Sequence, residues 1–204
     1  MNTLKIFKTD FYKRIGGLYE FKGRYVLDLG CGNGEDALEI AKYAKKVIGV
    51  DIIKNTSWKK RKKTNLSFRI SAAEKLPFKT NSFDGLFLKD VIHHVQDVEK
   101  TLKEIKRVTT KNAFIIIIEG NRYNPLFYVH MTKMNGHEHL TQANFKKLIK
   151  KYFPSAKFIH FEAHFVPIIN DSLFKLLIFV EKIIGKISLL KPILSYNTAV
   201  IKRD

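Results

Sequence analysis

The chain has 204 residues, 45% hydrophobic and 27% charged, an ordinary globular balance suited to one domain with a single core. One cysteine, Cys31, excludes an intrachain disulfide and fits a reducing compartment. The net charge of +18, from 37 Lys+Arg against 19 Asp+Glu, attracts polyanions: nucleic acid, an anionic membrane surface, or neither if it reflects only a lysine-rich background.

In chain order, the first ten residues carry Lys5, Lys8 and Asp10 among scattered apolar side chains and lack the apolar core of a signal peptide. Tyr25–Leu29 reads as a short buried strand ending in glycines. Ala37, Leu38, Ile40, Ala41 and Ala44 then fall at helical spacing, and Lys46–Asp51 forms a second strand. The basic run Lys59–Lys63 has Trp58 beside it but no interleaved aromatics, so it is not a base-stacking platform. Leu66–Ile70 and Phe83–Leu88 are the third and fourth strands, and Val98, Leu102, Ile105 and Val108 mark a helix. Ala113–Ile118 has almost no polar residue, as a central parallel strand requires.

After Glu119 the pattern changes. Asn121–Gly136 reads as irregular or partly helical, and Thr141 is placed to cap a helix reaching Lys151. Ala156–Phe161 is a sixth strand and Thr198–Lys202 a last one. Leu173–Leu190 reads as one or two very apolar helices, with Leu173, Leu176, Leu177, Val180, Ile184 and Ile187 in one stripe and Phe174, Ile178 and Phe179 widening it. Lys175, Glu181, Lys182 and Lys186 interrupt that stretch, so it is no plain membrane span. Strands alternating with helices predict an α/β fold: a doubly wound, mostly parallel seven-stranded sheet with helices on both faces and an antiparallel last strand.

The segment Asp28-Leu29-Gly30-Cys31-Gly32-Asn33-Gly34 lies between the first strand and the first helix. Gly30 and Gly32 permit a sharp turn and close approach of a ligand to the backbone. A dinucleotide fingerprint would place its third glycine at Glu35, whose charge opposes a pyrophosphate; here that glycine is Gly34. The loop therefore suits a nucleoside without phosphates. Asp51 ends the second strand at the ligand-binding edge, where a carboxylate can accept from both ribose hydroxyls.

With these residues stand Ala73-Glu74-Lys75-Leu76-Pro77-Phe78, Ser82-Phe83-Asp84, His93-His94-Val95 and Glu104-Ile105-Lys106-Arg107-Val108. Together they resemble the motifs of class I S-adenosylmethionine-dependent methyltransferases, in the group that includes the ubiquinone and menaquinone biosynthesis enzymes. The resemblance covers Tyr25 to Glu119. It implies S-adenosylmethionine as cofactor, with Gly30, Cys31, Gly32 and Gly34 forming its loop, Gly30 to Gly32 lying against its methionine part, and Asp28 holding the ammonium directly or through water. It further places Asp51 on the ribose, Ile52 on the adenine, the Ala73 N–H on the ring with Glu74 beside it, and Lys89 near the methionine end through its backbone. In domain terms it implies one methyltransferase domain over 1–204, with a cofactor-binding half at 25–119 and an acceptor or lid half at 120–204 carrying an apolar helical insertion at 171–191. Two departures stand out: Ala72 replaces a frequent Asp that accepts from the adenine amino group, and Thr109-Thr110-Lys111-Asn112 replaces a Pro-Gly-Gly turn. Asn112 can take the turn conformation.

Methyl transfer to a nucleophile needs alignment and exclusion of water, and a base only where the acceptor must lose a proton. His93 and His94 follow the fourth strand near where the methyl group should lie, and either could act as a base; Glu119 with Asn121, Arg122 and Asn124 after it could line the acceptor pocket; His94 and Glu119 are the catalytic candidates, and loop packing or capping is the competing reading for each. No metal is expected, since His137 and His139 alternate and no cysteine lies near them. The apolar insertion either packs on the protein over the site, or serves a lipid-like acceptor or peripheral contact with an anionic membrane. Three functions stay open: a methyltransferase for a small-molecule or lipid-like acceptor, an RNA methyltransferase supported by charge alone, and a non-catalytic S-adenosylmethionine-binding protein. The expected location is cytoplasmic, with membrane association allowed.

Overall fold

The computed structural model describes residues 10–15, 17–125, 128, 139–162 and 171–204, apart from the side chains of residues 171, 173, 174 and 177. Most of the expected irregular stretch at 121–136 lies outside the described residues, as do His137 and Glu138. The seven strands are β1 (Tyr25–Leu29), β2 (Lys46–Asp51), β3 (Leu66–Ile70), β4 (Phe83–Lys89), β5 (Thr109–Gly120), β6 (Lys157–Phe161) and β7 (Tyr196–Lys202). They form one sheet in the order β3-β2-β1-β4-β5-β7-β6. The first five pair in parallel, and β7 runs antiparallel to both β5 and β6. This is the doubly wound sheet, with its antiparallel last strand, that the alternation of elements predicts.

The central strands β1, β4 and β5 are apolar along most of their length because both of their faces are covered. On one face Leu27, Leu29, Leu86, Leu88, Ile115 and Ile117 meet Leu102 and Ile105 of helix α2 (Val98–Val108) and Phe145 and Ile149 of helix α3 (Gln142–Tyr152). On the other, Val26, Phe87, Ile116 and Ile118 meet Ala37 and Ile40 of the short helix α1 (Glu35–Ile40) and Ile15, Leu18 and Phe21 from the N-terminal side. Full burial of one such side chain contributes about 1.5–3 kcal/mol, so the two layers supply most of the cohesion. Caps fix the helix starts: Asp97 accepts from the Lys100 N–H at 2.9 Å, and Thr141 from the Asn144 N–H at 3.2 Å, as expected.

Differences from the expected boundaries have local causes. Helix α1 stops at Ile40, and Ala41 and Ala44 continue as buried turn residues. Strand β7 begins at Tyr196 because Asn197, buried and polar, finds a partner in the ring Nδ1 of His160 at 3.1 Å. Asn112 has φ 65°, the turn conformation expected of it. The apolar segment is helix α4 (Asp171–Lys186) followed by a 3-10 turn at Ser188–Ile193. Of its expected stripe, Leu176, Val180 and Ile187 are exposed, while Ile178, placed among the widening residues, is buried. Leu173, Phe174 and Leu177 fall among the side chains left out above.

Candidate functional site

The glycine loop is held at the carboxyl edge of the sheet by its own backbone. The N–H groups of Gly30 and Cys31 both donate to the Val50 carbonyl, at 2.7 and 2.9 Å, and the Gly32 N–H donates to Asp51 Oδ2 at 2.8 Å. Gly30 has φ 73°, and a Cβ there would come within 2.1 Å of Val91 Cγ2, so both conformation and space exclude a side chain. Gly34 is the left-handed residue before α1, and a Cβ on it would meet the Phe68 ring at 2.7 Å. Phe68 in turn stacks on Trp58, with ring centres 5.0 Å apart, and Trp58 Nε1 donates to the Gly32 carbonyl at 2.8 Å. Trp58, read in the sequence only as a neighbour of a basic run, is thus a brace of the loop.

A cavity of about 760 Å³ opens along this edge. It brings together Gly30, Gly32, Asp51, Ile52, Ala73, Glu74 and His94 of the expected residues. Asp51 keeps one lone pair on each oxygen beyond its bonds to Gly32 and to the Ile53 N–H at 3.2 Å. Ile52 is 67% exposed over the opening, an apolar surface with nothing yet stacked on it. Among the described residues the Ala73 N–H donates to no acceptor. Glu74 braces the far wall by accepting from the Gln96 N–H at 2.9 Å.

A second cavity of about 240 Å³ is lined by Phe11, Tyr12, Asp36, Lys89, Asp90 and Tyr196, with Asn33 and Glu35 at its rim. Asp90 lines both cavities. It has φ 55°, unusual for a residue with a side chain, and its Oδ1 is shielded from water with no hydrogen-bond partner. Burial pushes its carboxyl up to about 7, and Glu119 adds to this against the opposing pull of Lys89 and His93. Sequence reasoning missed Asp90, since one acid after a strand reads as a solvated strand end; the left-handed turn that aims it inward has no sequence signature here.

Asp28, Cys31, Gly34 and Lys89 do not line the main cavity. Asp28 is buried on the α1 side of the sheet, where desolvation and the nearby Asp36 raise its carboxyl well above the usual range. The Cys31 thiol is buried under the loop and packs toward Gly49; burial and the neighbouring acids raise it well above the thiol range, so it is no nucleophile. Lys89 turns its ammonium to Asp36 at 2.6 Å in the second cavity, and that pairing outweighs the lowering effect of burial. Tyr12 also donates to Asp36.

The structure gives Glu119 a different task from that of a base. Its Oε1 accepts from the Val91 and Ile92 N–H groups at 2.8 and 2.6 Å, its Oε2 lies 2.7 Å from His93 Nδ1, and it lines neither cavity. It clamps the loop after β4, so it positions rather than reacts. Asn121 and Asn124 likewise tie chain to chain: Asn121 Nδ2 donates to the Pro192 and Leu194 carbonyls at 2.8 Å, and Asn124 Nδ2 to the Ile193 carbonyl at 2.9 Å. His93 is sandwiched between His94 and His139, with ring centres 4.0 and 4.1 Å away. His93, Glu119 and His139 are a set that could ligate a metal ion, a grouping the spacing of His137 and His139 did not reveal.

Residues 27–117 match the family model described as a methyltransferase domain. The chain is 30% identical over 129 residues to the uncharacterized methyltransferase YcgJ of Bacillus subtilis, covering 58% of this chain and 51% of that protein. It is 30% identical over 141 residues to the ubiquinone/menaquinone biosynthesis C-methyltransferase UbiE of Rickettsia akari, covering 61% of this chain and 54% of that one. The matches thus span about half the length of these curated relatives. Over the whole fold, the crystal structure of the Bacillus YcgJ protein superposes with a TM-score of 0.64 at 20% identity, covering 99% of this chain and 98% of that one.

Proposed function

We propose that the chain, whose residues 27–117 match the methyltransferase domain model, is a class I S-adenosylmethionine-dependent methyltransferase that binds S-adenosylmethionine in the main cavity and transfers its methyl group to a small or lipid-like acceptor. The observation that carries the reading is the convergence on one opening of the glycine loop, the outward lone pairs of Asp51, the exposed Ile52 and the unengaged Ala73 N–H. These groups fit a nucleoside: Asp51 takes the ribose hydroxyls, Ile52 packs on the base, and the Ala73 N–H donates to it. The methionine end lies toward Gly30 and Asp90, where the main cavity meets the second one.

When bound, the cofactor supplies a methyl group already activated by positive sulfur. What remains for the chain is to align and to keep water out. His94 lines the main cavity and is the base available to an acceptor that must lose a proton. A lipid-like acceptor is supported by the biosynthetic role in the Rickettsia relative's name and by the apolar helix α4.

Calorimetry tests the cofactor. S-adenosylmethionine and its demethylated product bind and NAD does not, and Asp51→Ala weakens binding by about 2–4 kcal/mol, since hydrogen bonds to a charged group are worth about 1.5–3 each and do not add fully. NAD binding with no response to either methyl-cycle ligand overturns the assignment. Transfer of labelled methyl from the cofactor to lipid, RNA and small-molecule cell fractions then identifies the acceptor class, and label in the RNA fraction alone overturns the acceptor half of the proposal.

A further inference from the structure

Helix α4 presents a continuous apolar face to solvent. Leu176, Phe179, Val180 and Ile183 follow the spacing i, i+3, i+4, i+7, which is one side of the helix, and Ile187 follows just past its end. All five are exposed, Leu176 by 56% and Phe179 by 61%. The 3-10 turn that follows carries two further exposed apolar side chains, Leu189, 87% exposed, and Ile193. Scattered exposed apolar residues need no explanation, but an aligned run of this length does.

The charges beside this face are all of one sign. At about 100° per residue, Lys175, Lys182 and Lys186 form a second line roughly a quarter-turn from the apolar one, and Lys191 follows in the 3-10 turn. Lys182 meets Asp10 at 3.0 Å, and the one acid nearby on the helix, Glu181, points inward to Arg14 at 3.5 Å. An apolar stripe flanked by lysines on a chain of net charge +18 is complementary to a surface that is oily inside and anionic at its rim. At 16 residues the helix is about 24 Å long by the usual rise, too short for the roughly 30 Å hydrocarbon layer, and no helix among the described residues is long and apolar enough to cross a membrane.

We infer that this face is a docking surface for an anionic lipid bilayer, on which α4 lies flat with Leu176, Phe179, Ile183 and Leu189 in the acyl boundary and the lysines at headgroup level. Asp10 and Arg14, which hold α4, sit on the same helical segment, residues 10–14, as Phe11 and Tyr12, which wall the second cavity. The surface is independent of the methyl-transfer reading and is measurable without turnover.

The test is flotation of the full chain with vesicles of phosphatidylcholine containing phosphatidylserine, and with phosphatidylcholine alone, at one salt concentration. The expected result is binding to the anionic vesicles that falls roughly tenfold or more in Leu176→Ser/Phe179→Ser/Ile183→Ser, and also falls in Lys175→Glu/Lys186→Glu. The three apolar side chains are exposed, so the variant keeps its thermal midpoint, and cofactor binding by calorimetry stays as in the parent. Two results each overturn the inference: a parent chain that does not float, as when it sediments as a dimer that becomes monomeric in the apolar variant, or an apolar variant that floats as well as the parent.

Discussion

The carboxyl of Asp90 sits where two cavities meet, and its protonation is open to control. Burial pushes it up to about 7, so near neutral pH the unliganded site holds a mixture of acid and carboxylate. A cofactor bound as proposed brings an ammonium to this end, which favours the carboxylate. Binding of the demethylated cofactor product is therefore expected to release protons near pH 7 and to tighten as pH rises from about 6 to about 8. Calorimetry in buffers of different ionisation enthalpy measures the release, and Asp90→Asn abolishes it. Proton release that persists in Asp90→Asn assigns the effect to another group of the cluster, with Glu119, His93, Lys89 and Asp36 the neighbours in question.

At the level of elements, the loop after β4 depends on a strand it does not belong to. Glu119, at the end of β5, holds the Val91 and Ile92 N–H groups and His93 from below, while Val91 and His94 face the main cavity. Glu119→Ala leaves two N–H donors and the imidazole without their acceptor, and unfolding free energy is expected to fall by about 3–5 kcal/mol. Glu119→Gln keeps an oxygen for the N–H pair and recovers most of that loss in denaturant unfolding. Equal losses in the two variants locate the stabilisation in the charge facing His93 instead. The elements themselves were legible in the sequence, because β1, β4 and β5 are nearly continuous apolar runs covered on both faces. The loop, Asp51 and Ile52 were legible because each sits at a strand end. Asp90, Trp58 and the clamp by Glu119 were not, since each acts through a tertiary contact that no local period encodes. The orientation of α4 was hidden for a related reason: apolar residues flank its line of lysines over most of the helix circumference, so the pattern did not say which apolar face turns inward.

On the scale of the whole molecule, buried acids govern how stability follows pH. Asp28, Asp90 and Glu162 all have carboxyls raised by burial, the last two to about 7. A raised acid holds its proton in the folded state, so its contribution is full below the unfolded range near pH 4 and is lost as pH climbs through the folded value. His160 opposes this: burial lowers its imidazole to about 4, and its contribution grows only up to about pH 6.5. Above that, the three acids act alone. Stability of the ligand-free chain is expected to decline from about pH 6.5 to about pH 8 in urea titrations, with a shallower decline in Glu162→Gln. A stability that rises across that interval contradicts the protonated state of these carboxyls.

The antiparallel strand β7 lies between β5 and β6, so among the described residues β6 joins the sheet only through a strand that follows it by some 35 residues in the chain. On the ribosome this orders assembly in time. Until Tyr196–Lys202 has emerged, β5 is an edge, and its Ile115–Ile118 run offers unpaired backbone to any neighbouring strand. The nascent chain therefore passes through a stage in which the strands beneath the main cavity have emerged but the long apolar strand β5 is unsealed on one edge. That interval is where a chaperone would have its longest opportunity and where polysome crowding would favour mispairing.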